Sequence, residues 1–359
     1  MDPRSPADPS SSPSIVPAEV VREPVAAPPR RRAGGVLLVL FLLLLAVLAG
    51  SLLMNLLLIL ASPFDSERRV REKFYSGQRT GTQKVVIVSV SGVILGGEGG
   101  FVKRQIDQAA KDKSVKAVVL RVNSPGGTVS ASHYYYHHLR KLATEARIPI
   151  VVSMGGEAAS GGYYVSMAVG PTPDTIFAEP TTWTGSIGVI IPHYNLGGLL
   201  ENWGVKEDSV SSDRLKNMGT FARPMTQEER QIFQSLVDES FARFKDVIKQ
   251  ARPAFQQRPE ALDRLATGQI FTAGQAQKAG LIDRIGFIED AIDRAVELAG
   301  LDPDDVRVVK YEPETGLLNL LLGIDVRRRG PDLSELLELS APRAYYLSTR
   351  LPLLISSRN

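Results

Sequence analysis

The residues best suited to chemistry in this sequence surround Ser160. An apolar, β-branched run at 151–154 leads through paired glycines into the small-residue cluster 158–162, and an amphipathic segment begins at Tyr163. This order predicts a strand, a tight turn and a helix, with Ser160 at the turn. A hydroxyl at the positive end of a helix, beside glycines that admit a substrate backbone, is suited to attack on a carbonyl. A purely structural turn, in which a strand packs closely against the following helix, would use the same small residues. This pattern alone therefore does not distinguish a catalytic site from a structural turn.

A second pair of glycines, Gly126 and Gly127, follows another predicted strand at 115–122. In sheets of parallel strands, ligand sites lie outside the carboxyl ends of the strands, so we expect both glycine pairs at one edge. Backbone amides of the two pairs, Gly126-Gly127 and Gly161-Gly162, would then converge to bind a developing oxyanion. Taken alone, Ser-Pro-Gly-Gly is also an ordinary turn, but a neighbouring strand end that carries Ser160 favours a site.

A serine hydroxyl is a poor nucleophile until a base takes its proton. Three histidines, His133, His137 and His138, lie in a predicted helix rich in tyrosine, where exposed or hydrogen-bonded rings are the simpler interpretation. His193 lies downstream of the serine and leaves a Ser-His-Asp triad open. The other option is a lysine held neutral by burial, as in Ser-Lys enzymes. Lys216 differs in setting from the other lysines, because it lies in a loop before a predicted helix, but the sequence alone does not choose it.

The elements that must position these residues alternate between strand and helix. This alternation predicts the α/β class, with a parallel sheet and helices packed on it. The predicted strands are 84–95, 115–122, 148–154, 176–178, 184–191, 270–272 and 306–311. The predicted helices are 101–112, 129–146, 163–169, 196–203, 226–250 and 287–298, the fifth opening on a capping box at Thr226.

The amino-acid composition excludes several classes of function for this protein. A net charge of +3 over 359 residues is slight, and no basic patch is interleaved with aromatic residues, so no nucleic-acid partner is expected. The absence of cysteine excludes disulfides, thiolate zinc sites and cysteine nucleophiles together. We therefore expect neither a metal nor a cofactor. A hydrophobic content of 43% is enough to bury a full core.

The chain begins with a segment unlike the rest. Residues 1–35 are proline-rich without apolar periodicity, which predicts a disordered tail. Residues 36–61 carry no charge and are long enough for a transmembrane helix, whereas a secretory signal has a shorter apolar core. Residues 62–83 are predicted to be a linker. Arginines at 30–32 abut the apolar run, which favours a cytoplasmic tail and an extracytoplasmic catalytic domain, although basic residues at 68–73 nearly balance them.

Several motifs in register resemble the signal peptide peptidase A family of membrane-anchored serine proteases. The matching segments are VNSPGG at 122–127, SMGGEAASGGYY at 153–164, TGSIGV at 184–189, Lys216 ahead of Thr226, GQIFT at 268–272 and GLID at 280–283. The resemblance runs from about residue 84 to residue 309. It implies a protease domain at 84–311 with the caseinolytic protease/crotonase-like fold, a βα superhelix.

Carried over by position, the resemblance implies a Ser-Lys dyad without a cofactor. Its residues would be Ser160 as nucleophile, Lys216 as general base, Gly126 or Gly127 with Gly161 as the oxyanion hole, and Ser186 to orient the lysine. The caseinolytic branch places a histidine at the position of residues 181–183, where this chain has none. In single-domain members the dyad is completed between protomers, which implies a homo-oligomeric ring.

The expected function is that of a single-pass inner-membrane endopeptidase that degrades cleaved signal peptides or other apolar peptides. A crotonase-type acyl-CoA enzyme and a catalytically inert membrane scaffold are the alternatives. Residues 312–359 fall outside the family pattern. This C-terminal extension is interpreted as a membrane-surface contact, a ring contact or a self-occluding tail, and the sequence does not rank the three.

Overall fold

The computed structural model describes residues 33–60, 70–314 and 344–347. The chain divides into two units, Met1–Leu60 and Ala61–Asn359. The predicted disordered tail, up to residue 32, and most of the C-terminal extension lie outside the described residues.

The first unit contains one described helix, α1, at Ala33–Leu60. Side chains of this helix are described only at 38–53 and 55, where all are exposed. Counted over the described residues, no helix reaches the length and apolar character of a membrane span. The transmembrane helix expected at 36–61 therefore stays a prediction.

The second unit is an α/β domain, as the alternation of elements predicts. Its strands are β1 (Val70–Gly77), β2 (Gln83–Ser91), β3 (Val115–Ser124), β4 (Gly126–Thr128), β5 (Ile150–Ala159), β6 (Ile176–Ala178), β7 (Trp183–Gly185), β8 (Ile270–Thr272), β9 (Arg284–Ile285), β10 (Val306–Pro313) and β11 (Tyr345–Leu347). Its helices are α2 (Phe101–Lys111), α3 (Val129–Thr144), α4 (Gly161–Ser166), α5 (Gly197–Asn202), α6 (Gln227–Ala251), α7 (Pro253–Gln257), α8 (Pro259–Leu265), α9 (Ala273–Lys278) and α10 (Ile288–Leu298).

A nine-stranded sheet forms the centre of this unit, with its main path in the order β1-β10-β2-β3-β5-β6-β9. Strands β10, β2, β3, β5, β6 and β9 pair in parallel. Successive side chains on a strand point to opposite faces, so Val86 of β2 packs in the larger core with α3, α4 and α6. Its neighbour Val85 packs in a smaller core with α10. Both faces of the sheet are thus covered, which explains why its central strands are almost continuously apolar.

The edge of the sheet differs from the prediction. Residues 70–77, within the predicted linker 62–83, form β1 and pair antiparallel with β10. Along β1 exposed and half-buried residues alternate, so the strand shows one polar side and lacks the apolar run of the interior strands. This polar alternation is typical of edge strands, which explains why the segment looks like a linker in sequence.

Two further boundaries differ near the serine turn. Strand β5 continues to Ala159 because its last residues pair with β7, whereas the sequence predicts a turn after Met154. The strand predicted at 184–191 is reduced to β7, because Gly185 and Ser186 both have positive φ. Both strands therefore end next to Ser160, since Ala159 precedes it in the chain and the Gly185 carbonyl accepts from its amide.

Candidate active site

Ser160 occupies the turn between β5 and α4. Its φ and ψ are 51° and −112°, outside the regions that a residue with a Cβ favours. Its amide donates to the Gly185 carbonyl at 2.8 Å, and its carbonyl accepts from the Tyr164 amide at 2.8 Å. These two bonds hold the strained turn between β7 and the first turn of α4.

The hydroxyl of Ser160 is buried and unpaired. The residue is 1% exposed, and Oγ has no hydrogen-bond partner among the residues that the structure describes. Leaving a buried hydroxyl unsatisfied costs about 1–3 kcal/mol. A buried orphan group in a strained backbone conformation is typical of a functional position.

Gly126, Gly127 and Gly161 meet beside Ser160. Gly126 has a φ of 108°, which favours glycine. A Cβ on Gly126 would lie 2.8 Å from the Gly161 amide nitrogen, and a Cβ on Gly161 would lie 3.1 Å from both Gly126 Cα and Gly127 N. The two glycine segments therefore touch backbone to backbone, and the structure brings together the groups predicted to bind an oxyanion.

Two serines that sequence reasoning missed support this glycine contact. Ser124 Oγ donates to the Gly92 carbonyl at 2.6 Å and accepts from the Gly126 amide at 3.1 Å. Ser132 Oγ faces Gly161 from α3 and has no partner in the described part of the chain. The available signal for Ser132 is its spacing, since it lies one helical turn after the N-cap residue Thr128.

Ser186, the residue expected to orient a lysine, directly follows β7. Its φ of 49° makes it one of four non-glycine residues with positive φ in the described chain, and Ser160 is another. The Ser186 amide donates to the Gln269 carbonyl at 2.7 Å, and the residue is 7% exposed. Gly185 accepts from the Ser160 amide, so Ser186 lies next to the residue that anchors the nucleophile turn.

Lys216 lies in the surface segment between β7 and α6 and makes no hydrogen bond with the Ser160 hydroxyl. Its side chain is exposed, and its amide donates to the Asp213 carbonyl at 3.0 Å. Because Ser160 Oγ bonds no described side chain, the predicted pair is not joined within one chain.

None of the four histidines hydrogen-bonds the Ser160 hydroxyl. His133 Nδ1 is 2.7 Å from the Tyr164 hydroxyl, and His193 Nε2 is 3.1 Å from the Thr220 carbonyl. Desolvation, helped by Arg243 and then by His137, lowers the pKa of His133, which favours a neutral ring. Neither ring hydrogen-bonds Ser160, so this geometry gives no support to a Ser-His-Asp triad.

Known proteins resemble this chain over the region that contains these residues. The family model for peptidase family S49 matches residues 143–302. A putative protease of Synechocystis sp. is 37% identical over 243 residues, which cover 68% of this chain and 84% of the relative. A putative signal peptide peptidase SppA of Enterococcus faecium is 36% identical over 244 residues, covering 65% of this chain and 68% of the relative. The chain belongs to peptidase family S49.

Membership of family S49 makes the chain a serine peptidase and confirms the resemblance to signal peptide peptidase A. A third relative, Protease 4 of Haemophilus influenzae, is 33% identical over 272 residues, which cover 72% of this chain and 43% of that protein. All three relatives are named as proteases or peptidases, which favours a peptidase over an acyl-CoA enzyme or an inert scaffold. The mostly parallel sheet fits the fold expected of this family.

Tyr164, just after the nucleophile turn of this S49 domain, belongs to a cluster of packed aromatic rings that the sequence did not reveal as a site. Tyr164 of α4 contacts Phe244 of α6 with ring centroids 5.0 Å apart and Tyr346 of β11 at 4.9 Å. Burial raises the pKa of Tyr164 above its usual value, so its hydroxyl stays protonated. In the described ranges, no group of three or more acidic or histidine side chains is placed to hold a metal ion.

Proposed function

We propose that this chain is a Ser-Lys endopeptidase in which Ser160 is the nucleophile and Lys216 the general base. The observation that carries the proposal is the buried, unpaired Ser160 hydroxyl on a strained turn beside Gly126 and Gly161. These features support the proposal, because nucleophilic attack needs an unpaired hydroxyl and an oxyanion needs backbone amides beside it.

The proposed reaction is acyl transfer in two steps. Lys216 takes the proton of Ser160 while Oγ bonds to the substrate carbonyl carbon. The resulting oxyanion accepts from the amides of Gly161 and Gly127, since the Gly126 amide already donates to Ser124 Oγ. The C–N bond then breaks, and the leaving amine takes the proton from Lys216. Water attacks the ester carbon in the second step and gives a proton to the lysine. The lysine passes that proton to Ser160 Oγ as the ester C–O bond breaks, which restores the serine hydroxyl and releases the acid product.

Assembly of several copies would bring the base to the nucleophile. Lys216 is exposed, and its surface segment carries large apolar side chains in contact with solvent, among them Tyr194, Trp203 and Val210. Several large apolar side chains left exposed along one surface segment are typical of a surface that another protein covers. The proposal is therefore a homo-oligomeric ring in which Lys216 of one protomer reaches Ser160 of its neighbour.

The proposed substrates are apolar peptides at a membrane, such as cleaved signal peptides. The support is the uncharged run at 36–61, which would anchor the domain as a single-pass protein of the inner membrane, with residues 1–35 in the cytoplasm. Protease accessibility of tags at each end, in intact and in opened cells, measures this topology. If the N-terminal tag is digested in cells whose outer membrane alone has been permeabilised, the proposed topology is wrong.

The proposed chemistry is tested with full-length protein in detergent. We expect wild type to hydrolyse a fluorogenic apolar peptide and to be labelled by a fluorophosphonate at Ser160. Ser160→Ala should lose both signals with an unchanged melting temperature, whereas Ser235→Ala, at an exposed position of α6, should keep both. Retained turnover in folded Ser160→Ala would refute the assignment.

A further inference from the structure

A hollow of about 530 Å³ lies between helix α2 and the start of strand β1. None of the residues proposed for catalysis lines it. One wall is formed by α2 residues spaced i, i+3, i+4 and i+7, which share one flank of a helix, and the other by the first two described residues of β1: Arg104, Asp107, Gln108, Lys111, Val70 and Arg71. A hollow of this volume is large enough to hold a small molecule.

The hollow carries positive charge that the protein does not neutralise. The three basic residues that line it form no ion pair within the described ranges. Of the two acidic residues that line it, Asp107 is already held by Lys103 at 2.7 Å, and Glu314 is exposed. An anion is therefore the ligand that the charges of the hollow fit.

Arg104 is held in place with an unused donor. Its Nη1 donates to the Gly99 carbonyl, and its Cζ lies 5.7 Å from the centre of the Phe101 ring. Its Nε is buried and has no hydrogen-bond partner among the residues that the structure describes. A buried donor without a partner is costly, and a guanidinium of fixed orientation suits the oxygens of a phosphate.

The strand that forms the other wall is also basic. β1 is the edge strand of the sheet, and Arg71 and Lys73 are exposed on it. Lys73 lies directly opposite Lys310 of β10, a pairing of like charges that Glu312 offsets by contacting Lys73 at 3.3 Å. Edge strands often carry lysine to prevent pairing with another chain, so these residues alone would not indicate a ligand. The hollow with the unpaired Arg104 Nε does indicate one.

The hollow lies where the described part of the domain begins. Eight residues, 62–69, separate the end of the uncharged run from Val70, and they span at most about 30 Å when extended. The last two of them are Arg68 and Arg69. Basic residues close to a membrane span attract anionic lipids, whose head groups carry a phosphate at the membrane surface.

We propose that this hollow binds the phosphate of an anionic phospholipid head group and so holds the domain against the membrane. Arg104 and Lys111 donate to the phosphate oxygens from α2, and Arg71 does so from β1. The inference goes beyond the proposed peptidase chemistry and rests on the proposed membrane anchor for access to lipid. Binding of the head group requires no turnover, so the two proposals fail separately.

The first test measures how closely the domain approaches a membrane. Full-length Lys113→Cys, which has a single cysteine at an exposed position just beyond α2, carries a donor dye and is reconstituted into phosphatidylcholine vesicles that contain an acceptor lipid. Adding phosphatidylglycerol to the vesicles should raise energy transfer, because its phosphate binds in the hollow. Equal transfer with and without phosphatidylglycerol would overturn the inference.

Variants of the same labelled chain test the residues. Lys111→Gln removes one charge at an exposed position, so the fraction of phosphatidylglycerol that gives half of the gain should rise about fivefold. Arg104→Gln should remove the gain, and Lys111→Gln decides the matter if Arg104→Gln has a lowered melting temperature. Arg230→Gln, exposed on α6, loses the same charge and should behave as the parent. Equal shifts in Lys111→Gln and Arg230→Gln would show that net charge alone attracts the domain and would refute the site.

Inorganic phosphate separates the lipid from a free ion. It is added to the vesicles that contain phosphatidylglycerol and is compared with sodium chloride at equal ionic strength. We expect both salts to reduce the gain equally, through screening. If phosphate removes the gain where chloride does not, the site takes a free anion and the lipid assignment is wrong.

Flotation with pure phosphatidylcholine vesicles measures the anchor by itself. The full-length protein should float with these vesicles, because an inserted helix does not need anionic lipid. Protein that floats only when phosphatidylglycerol is present would overturn the proposed anchor and leave the head-group site standing. Protein that floats with both kinds of vesicle and shows equal energy transfer in both would overturn the site and leave the anchor.

Discussion

Ser132 Oγ lies against the Cα of Gly161, so closely that a methyl group added to that glycine would sit 2.5 Å from the oxygen. The same methyl group would lie 3.1 Å from Gly126 Cα and from Gly127 N. Helix α3, the β4 segment and the nucleophile turn therefore meet at one point that has no room for a side chain.

Gly161→Ala should damage both stability and catalysis. The added Cβ would push the glycine segments apart, and losing one oxyanion donor reduces turnover about 100-fold or more. Peptide hydrolysis and thermal melting measure the two effects. Ser132→Ala in the same chain should restore part of the melting temperature by removing the closest contact, but not turnover, because the contacts with Gly126 and Gly127 remain.

A matched control for this substitution is Gly198→Ala on α5. A Cβ there would meet nothing within 4 Å, so stability and turnover should be unchanged. Full turnover in Gly161→Ala would show that the glycine contact does not form the oxyanion site.

Lys216→Ala should abolish peptide hydrolysis if this lysine is the base, whereas Lys206→Ala should not. Both lysines are exposed in the segment between β7 and α6, so charge and setting are matched. The expected loss for Lys216→Ala is about 1,000-fold or more, since an unassisted serine hydroxyl is a weak nucleophile. Comparable losses in both variants would indicate a role in folding or assembly.

Mixed assemblies test whether the lysine acts between protomers. Differently tagged Ser160→Ala and Lys216→Ala chains are co-expressed and purified through both tags. In a randomly mixed ring, about a quarter of the sites combine an intact serine with an intact neighbouring lysine, so about a quarter of wild-type turnover should return. Assemblies that contain both variants and remain inactive would contradict a shared dyad.

The sequence predicted those parts of this molecule that depend on local patterns. The strand, turn and helix around Ser160 follow from apolar runs punctuated by glycine, and the capping box at Thr226 is present with both of its bonds. The pairing of Tyr346 with Gly127 could not be predicted from the sequence, because hydrophobic periodicity does not indicate which distant segments pair. The position of Lys216 relative to Ser160 was equally inaccessible, since it is set by tertiary contacts.

Glu229 should contribute stability that is lost in acid. The hydrogen bonds from Arg223 lower the pKa of this buried carboxyl to about 2. Burial alone would raise the pKa, and the hydrogen bond from the Thr226 amide lowers it further. Arg223 donates to both carboxylate oxygens, at 2.6 and 3.0 Å, and Thr226 N donates at 2.8 Å. Because the folded pKa lies below the unfolded value, the stabilisation is present above about pH 4.5 and is lost as the pH falls towards 2.

Melting temperatures measured from pH 7 to pH 2 test this assignment. Glu229→Gln should lower stability by about 2 kcal/mol at pH 7 and should flatten the acid limb of the curve. Glu239→Gln, at an exposed position of the same helix, should follow wild type. An acid limb that is identical in wild type and Glu229→Gln would exclude this carboxylate as its source.

The largely buried pair Arg252–Asp283 should stabilise the segment that supports the nucleophile helix. Arg252 Nη1 is 2.6 Å from Asp283 Oδ1, and both side chains are 13% exposed. Asp283 Oδ2 also accepts from the amides of Thr175 and Ile176, each at 2.9 Å. Two residues earlier, the Leu281 carbonyl accepts from the Tyr163 hydroxyl at 2.7 Å, which ties this segment to α4.

Asp283→Asn should therefore destabilise the domain by about 3 kcal/mol, because it leaves the Arg252 guanidinium buried without its charge partner. The matched comparison is Asp263→Asn, which breaks the exposed Lys245–Asp263 pair and should cost less than about 1 kcal/mol. Denaturant unfolding measures both differences.

At a temperature where both variants are fully folded, fluorophosphonate labelling of Ser160 should proceed at the wild-type rate, since neither carboxylate belongs to the proposed reaction. Slower labelling in Asp283→Asn alone would show that the contact between Tyr163 and Leu281 sets the geometry of the nucleophile turn.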